Sequence, residues 1–588
     1  MTVRIDKVGV VGCGTMGSGI CEVVARAGIE VIFSEVSEEA LQRGRERIAR
    51  SVERAVQRGK LTAAEAEALL GRVKGTLELT DLADCDLIFE AVPEHLDLKR
   101  EVFARLDELA KPEAIFATNT SSLPVIDMAV ATKRTSRVIG FHFFNPAQVM
   151  ELVELVHTVA TEDEVLAFAR RFAERIGKTP VACRDRAGFI ANLLLFPYLN
   201  AATRIFEAGY ASREDIDVAM RLGCGHPMGP LELLDLIGLD SAYEICEALY
   251  RQWRDHQDAP APLLKQYVTA GYLGRKTGRG FYRYEKPESS KIVDATPLEA
   301  GAAASDITRI GVVGTGLMGS GIAEVAAKAG NEVVLRGRSE ASVDKAKAAI
   351  ARSLERAVAK GKLDRAAADG ALERVTTTLE FEDLAACDLV IEAVAEDLAL
   401  KKQVFRELDG STKPGAILAT TTSSLPVVEL AAATDRPERV LGLHFFNPAP
   451  VMRLVEVVRT VATAGEAEKR ALAWVRSVGK HPVRCRDRAG FIVNFLLFPY
   501  LNDAVKMHEE GYSTPEDIDA AMKLGCRHPM GPFELMDIVG LDVTLAILNS
   551  LHEEFRERRY APAPLLEHMV RAGYLGRKSG RGFYDYSG

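Results

Sequence analysis

A histidine and a glutamate twelve residues apart occur twice in this chain. They are His142 and Glu154 in FHFFNPAQVMELVE (141–154), and His444 and Glu456 in LHFFNPAPVMRLVE (443–456). A carboxylate on one imidazole nitrogen sets the tautomer and raises the basicity of the ring. The other nitrogen can then take a proton from a substrate hydroxyl. Beside a hydride acceptor, such a base would turn an alcohol into a ketone. Each histidine follows an apolar run (RVIGF, RVLGL) and each glutamate lies in a second one, so two neighbouring strands would bring the pair into contact. Spacing alone leaves a blander reading open, a hydrogen-bonded histidine of the core.

A hydride acceptor needs a seat. The first apolar run leads into Gly12, Gly14 and Gly17, a G-x-G-x-x-G between a predicted strand and a predicted helix. The next apolar run, VIFSE, closes on Glu35. That context marks a dinucleotide-binding turn, in which the backbone approaches the pyrophosphate at the helix N-terminus and the acid accepts from a ribose. Glu35 would repel a 2′-phosphate, so NAD is the expected cofactor of the first copy. Gly314, Gly316 and Gly319 repeat the turn, but the following strand ends VVLRGRSE. Gly337 replaces the acid, flanked by Arg336 and Arg338. The second copy is therefore expected to take NADP or NAD, with Arg338 facing a 2′-phosphate; drift in an idle half is the alternative.

The elements behind these residues are duplicated. Every landmark recurs 302 positions on, and residues 141–161 match 443–463 at 16 of 21 positions. In each copy β-branched runs alternate with helical stretches, then give way to helical patterns alone. The fold class expected is α/β plus all-α: a Rossmann-type doubly wound domain followed by a helical domain, the whole unit duplicated. The boundaries expected are 1–185 and 186–285 for the first copy, a linker over 286–306, then 307–487 and 488–588.

The 588 residues are 47% hydrophobic and 27% charged, with a net charge of −9 spread along the chain and no acidic or basic tail. Nucleic acid is therefore not expected as a partner, since a duplex binder needs a clustered basic face. The longest apolar stretch, FIANLLLFPYL, is too short to span a bilayer, so no membrane is expected. The N-terminal segment lacks signal-peptide architecture, which points to the cytoplasm. Nine cysteines without a C-x-x-C pair argue against a disulfide framework or a structural zinc, and no metal is expected.

TNTSSLP, GFHFFNPAQVMELVE, GHPMGPLELLDLIGLD and LGRKTGRGFY together resemble the L-3-hydroxyacyl-CoA dehydrogenases, the bacterial 3-hydroxybutyryl-CoA dehydrogenases in particular. The likeness covers each copy from end to end. It implies hydride transfer between an acyl-CoA and NAD(P), with His142 as acid/base and Glu154 as its orienting partner. It implies that Ser121, Asn145 and Asn192 hold the 3-oxygen and the thioester. Their counterparts are His444, Glu456, Ser423, Asn447 and Asn494. Glu94 and Lys99 (Glu396 and Lys401) and Asn119 fall at the nicotinamide side of the cofactor; Thr421 replaces Asn119 in the second copy. Ser51 and Arg58 (Ser353 and Lys360) fall where the family binds CoA. The family's helical domain makes its dimer contact, so an intramolecular pseudo-dimer is expected here, with further homo-oligomerisation open. Three other readings stay open: a dehydrogenase of a free hydroxy or sugar acid, a non-catalytic NAD-binding sensor, and one working half on a scaffold. The HPMGP histidines, His226 and His528, read as packing elements.

Overall fold

The computed structural model describes residues 5–295 and 305–587. In the first half the elements run β1 (Lys7–Val11), α1 (Thr15–Arg26), β2 (Glu30–Ser34), α2 (Glu38–Gln57), α3 (Ala63–Gly71), β3 (Val73–Thr76), β4 (Leu87–Glu90), α4 (Leu96–Leu109), β5 (Ile115–Thr118), α5 (Val125–Ala129), β6 (Val138–Phe143), β7 (Leu152–His157), α6 (Asp163–Arg175) and β8 (Thr179–Arg184). They form one eight-stranded sheet in the order β3-β2-β1-β4-β5-β6-β7-β8. Helices cover both faces, so β4 and β5 are buried throughout and their residues are nearly all apolar. The order reverses between β1 and β4, which opens a crevice at the carboxyl ends of the strands.

The sheet departs from a purely parallel one at a single junction. β6 and β7 pair antiparallel, whereas β7 and β8 pair parallel. The connection from Phe143 to Leu152 is too short to hold a crossover helix, so the chain can only turn back. In that register His142 stands directly opposite Glu154, and His444 opposite Glu456.

The helical domain follows as α7 (Ala191–Glu207), α8 (Arg213–Cys224), α9 (Pro230–Ile237), α10 (Leu239–Trp253) and α11 (Pro262–Thr269). Ser212 caps α8 by accepting from Asp215 N–H. α7 is buried around most of its circumference, from Leu194 through Ile205, as a helix packed on all sides must be. Residues 286–294, expected to begin the linker, instead fold against this domain. The carbonyl and carboxylate of Asp294 accept from the Arg213 guanidinium at 2.7 and 3.1 Å, and Tyr284 forms a bridge with Ile292. The connecting stretch is therefore shorter than its composition implied; residues 296–304 lie outside the described ones.

The second half repeats every element of the sheet and helical domain. The two helical domains pack on one another through α7 and its counterpart Val493–Glu509, forming the intramolecular pair anticipated from the duplication. His226 and His528 stack across the pseudo-dyad, their ring centres 4.1 Å apart and 11° from parallel. Tyr198 and Tyr500 flank them, each hydroxyl 3.4 Å from the Nδ1 of its own half's histidine. Each half also covers the other's open sheet edge. Asp517 accepts from Ala182 N–H at 3.1 Å, Ser513 donates to Ala182 C=O at 2.7 Å, and Arg170 pairs with Asp517. β8 is thus closed as a template for further strands. Among the described residues no single helix is long and apolar enough to cross a membrane.

Burial pushes His226 down to about 4, and burial together with its stacked neighbour pushes His528 well below the usual imidazole range. Both rings are neutral when folded and protonate more readily when unfolded. Their contribution is therefore complete above the unfolded value of about 6.5 and is lost as pH falls toward 4. Calorimetry across that window should show the melting temperature falling, with a loss on the order of 2–3 kcal/mol from His226. The His226→Phe, His528→Phe double variant should flatten the slope; an unchanged slope would contradict the assignment.

Candidate active site

The glycine turn can hold a dinucleotide. Gly12 has φ +88°, a conformation that L side chains rarely adopt, and a Cβ on Gly17 would collide with the carbonyl oxygen of Gly12. A Cβ on Gly14 would meet nothing, so the space in front of the turn is open. The N-terminus of α1 carries no side-chain cap and no acid in its first turn, which leaves N–H groups and the positive end of the helix dipole for a pyrophosphate. Gly314, Gly316 and Gly319 reproduce this setting. Glu35 folds back beneath the turn, accepting from Cys13 N–H at 2.7 Å.

The second half differs at that point more than its sequence alone conveys. A Cβ on Gly337 would come 2.5 Å from Val343 and 2.6 Å from the Ser342 hydroxyl, so the position is packed shut. Arg336 lies over the Phe381 ring at 3.7 Å and donates to Leu379 C=O. Only Arg338 is exposed, and of the two arginines only it remains for a 2′-phosphate.

At the crevice floor stands a group that spacing did not bring out. Glu90 ends β4 fully buried and accepts from Lys99 Nζ at 2.7 Å, Thr118 Oγ1 at 2.7 Å and Val92 N–H at 2.7 Å. Lys99 is itself 1% exposed and also pairs with Glu94 at 3.2 Å. Lys99 thus supports Glu94 from below, and Lys401 stands likewise between Glu392 and Glu396. Glu94 accepts from Thr120 Oγ1 at 2.5 Å, Ser121 N–H at 3.0 Å and Ser122 N–H at 3.2 Å. Burial opposes its ionisation, but the Lys99 ammonium and these donors outweigh it and hold the carboxyl below its usual range. This cage fixes the loop that presents Ser121. Asn119 accepts from Phe143 N–H at 2.9 Å, tying the same loop to the histidine strand.

His142 and Glu154 meet as the spacing suggested. Nδ1 lies 2.7 Å from Glu154 Oε2, and 2.6 Å separates the atoms in the second copy. Glu154 is fully buried, and its other oxygen accepts from Ile190 and Ala191 N–H at 3.0 and 2.8 Å, where α7 begins. The preceding Phe189 has φ +52°, a strained setting for an aromatic residue, and its ring lies 5.5 Å from that of His142. Phe144 stands on the imidazole at 4.8 Å. Neither phenylalanine is marked in the sequence, because packing on a ring leaves no spacing signature. His142 Nε2 makes no hydrogen bond to any described residue. Asn192 sits half-buried in the first turn of α7, and in the second half Asn494 donates to Ser423 C=O at 3.2 Å. Asn145 is exposed on the loop after β6.

A cleft of about 440 Å³ runs between α1 and α2, lined by Ser51 and Gln148 with Arg47, Arg50 and Arg54. Gln148 donates to Ser51 at 3.1 Å across it. Arg58, expected here, is the exposed residue that ends α2, beyond the cleft. Arg47, Arg50 and Arg54, one to three turns earlier on α2, are the arginines that line it.

A dinucleotide cradle at the switch of a doubly wound sheet, with a carboxylate-held histidine under a helical domain, defines a nicotinamide-dependent oxidoreductase. The 3-hydroxyacyl-CoA dehydrogenase NAD-binding domain matches residues 7–186 and 309–488, and the C-terminal domain of that family matches 188–284 and 490–586. The chain belongs to the 3-hydroxyacyl-CoA dehydrogenase family, in two tandem copies. A 3-hydroxybutyryl-CoA dehydrogenase of Mycobacterium tuberculosis is 53% identical over 282 residues, which is 48% of this chain and 99% of the relative. A 3-hydroxyadipyl-CoA dehydrogenase of Escherichia coli K12 is 30% identical over 98% of this chain and all of its own length. The crystal structure of an Escherichia coli 3-hydroxybutyryl-CoA dehydrogenase superposes with a TM-score of 0.72 at 27% identity, covering 97% of this chain and all of the other.

Removing the Lys99 ammonium leaves Glu90 buried without its charge partner. Lys99→Met should lower the unfolding free energy in urea by about 3–5 kcal/mol. A loss under about 1 kcal/mol would contradict a buried ion pair at this position.

Proposed function

We propose that each half interconverts (S)-3-hydroxyacyl-CoA and 3-oxoacyl-CoA of short acyl length, with His142 and His444 as the acid/base groups. The observation that carries this is the pair of hydrogen bonds around Glu154. One oxygen holds His142 Nδ1 and the other is held by the start of α7, which leaves Nε2 open for the substrate. A bound NAD supplies the hydride acceptor. His142 Nε2 takes the 3-hydroxyl proton on oxidation and returns it to the 3-oxygen on reduction. Glu154 keeps the proton on Nδ1 and stabilises the imidazolium between these events. Ser121, Asn145 and Asn192 would orient the 3-oxygen and thioester carbonyl, and Arg47, Arg50 and Arg54 would meet the phosphates of CoA. The free-acid reading lacks a role for that basic cleft. The charged CoA substrate fits work in the cytoplasm.

The intact dyad in both halves supports two working sites over a structural second half. For cofactor choice the halves diverge. Glu35 favours NAD in the first, while the missing acid and exposed Arg338 favour NADP in the second.

Cofactor oxidation with acetoacetyl-CoA, followed with NADH and with NADPH, tests this. His142→Ala should abolish NADH turnover and His444→Ala NADPH turnover, each kcat falling by about 10²–10⁴. One substitution removing all activity would make the other half a scaffold; activity with free acetoacetate alone would overturn the acyl-CoA reading. Glu154→Gln should lower the first site's kcat by about 10²-fold or more with KM little changed, because an amide no longer stabilises the charged ring.

A further inference from the structure

Each dyad is backed by residues of the opposite half. Gly525 lies near the end of the helix Pro515–Cys526, in the second half. A Cβ there would come 2.9 Å from Leu152 Cδ2 and 3.2 Å from Phe144 Cε1, both in the first half. Phe144 is the ring standing on His142, and Leu152 opens the strand that carries Glu154. The next residue is Cys526. Burial and then the Glu154 carboxylate push its half-buried thiol up to about 12. Tyr512 of the second half, stacked under Arg186, feels Glu154 as well.

The arrangement is reciprocal. Gly223, near the end of α8, would place a Cβ 3.0 Å from Leu454 Cδ2 and 3.0 Å from Val493 Cγ2. Val493 N–H is one of the two donors that hold Glu456, at 2.9 Å. Cys224 follows, its thiol pushed up to about 12 by burial and then by Glu456. The routes differ in detail because Val493 stands where the first half has Ala191. The larger side chain meets the glycine itself, whereas in the first half the Phe144 ring does so.

We propose that the Gly–Cys step before each HPMGP loop positions the catalytic dyad of the other half, Gly525–Cys526 serving His142–Glu154 and Gly223–Cys224 serving His444–Glu456. Neither site is then complete within its own copy. The inference rests on the dyad being the acid/base group, and it gives the interface a part in catalysis beyond holding the halves together. A methyl group at Gly525 would crowd Leu152 first and then Phe144, and one at Gly223 would crowd Leu454 and Val493 together, so these side chains must give way by a few tenths of an ångström against the dyad they back.

The test uses the full-length chain with one site silenced. In the His444→Ala background, Gly525→Ala should lower kcat of the first site about tenfold and shift its pH profile, with KM nearly unchanged. Gly223→Ala in that background should leave the first site within about twofold, since it touches only the second. In the His142→Ala background the pattern should reverse. Alanine suits a helix better than glycine, so the helices themselves are retained. Cys526→Ser serves as a second variant, placing a hydroxyl near Glu154 and again moving the pH profile of the first site alone. Histidine ring resonances give a readout independent of turnover. The His142 signal, identified by its loss in His142→Ala, should move in Gly525→Ala and stay in Gly223→Ala. A moved signal in a protein without turnover would uphold the positioning while refuting the catalytic reading. Equal effects of both glycine variants on both sites, or effects confined to the variant's own half, would overturn the proposal.

Discussion

A carboxylate with no exposure to water must be satisfied on both oxygens, and Glu154 meets that demand in a way that organises its whole half. One oxygen holds His142 on the neighbouring strand; the other takes two N–H groups from the first turn of the helical domain. A helix N-terminus is a natural seat for a negative charge. The same hydrogen bonds thus set the imidazole tautomer and dock the sheet domain on α7. The crevice between the two domains has its acid/base group where a substrate entering over the sheet would meet it. Removing the acid would disturb docking as well as chemistry.

The second constraint is the sheet edge. The antiparallel turn after β6 creates the histidine–glutamate pair, but it also leaves β8 as an edge strand. An uncovered edge invites pairing with other chains. Each half closes the other's edge with the segment that leads into its α8-type helix, and that helix ends on the Gly–Cys step beside the opposite dyad. Covalent linkage keeps each copy at high effective concentration for the other. One packing solution therefore closes the edges, buries the large faces of α7 and its counterpart, and brings side chains of one half behind the chemistry of the other.

Against this shared frame the halves differ at their periphery. The dyads, the Glu90-type carboxylate with its lysine, and the glycine turn are the same in both. Glu35 becomes Gly337, Arg47 becomes Ala349, and the Gln148 that spans the cleft to Ser51 becomes Pro450. The buried pairs are kept, while Asn119 beside the histidine strand becomes Thr421 and the residues at the Glu35 and cleft positions change.

Much of this was legible in the chain itself. Duplication, the Rossmann turn, the parallel runs and the His–Glu pairing all follow from period, spacing and residue type, because they depend on neighbours along one or two elements. Lys99 shows where that reading stops. The resemblance set it beside the cofactor, but only the fold shows that its ammonium is buried against Glu90, at the end of a neighbouring strand. Arg58 shows the same limit, since whether a helical arginine faces a cleft depends on where the helix ends relative to its neighbour. Residues 286–294 looked like linker, yet Arg213 draws them in. Sequence alone determined which groups could do chemistry and which of them are paired locally. The tertiary structure alone decided which of those groups reach open space, and that each dyad leans on the opposite half. Burial and contact between segments hundreds of residues apart arise only when whole faces pack together, and no local pattern encodes which face will meet which.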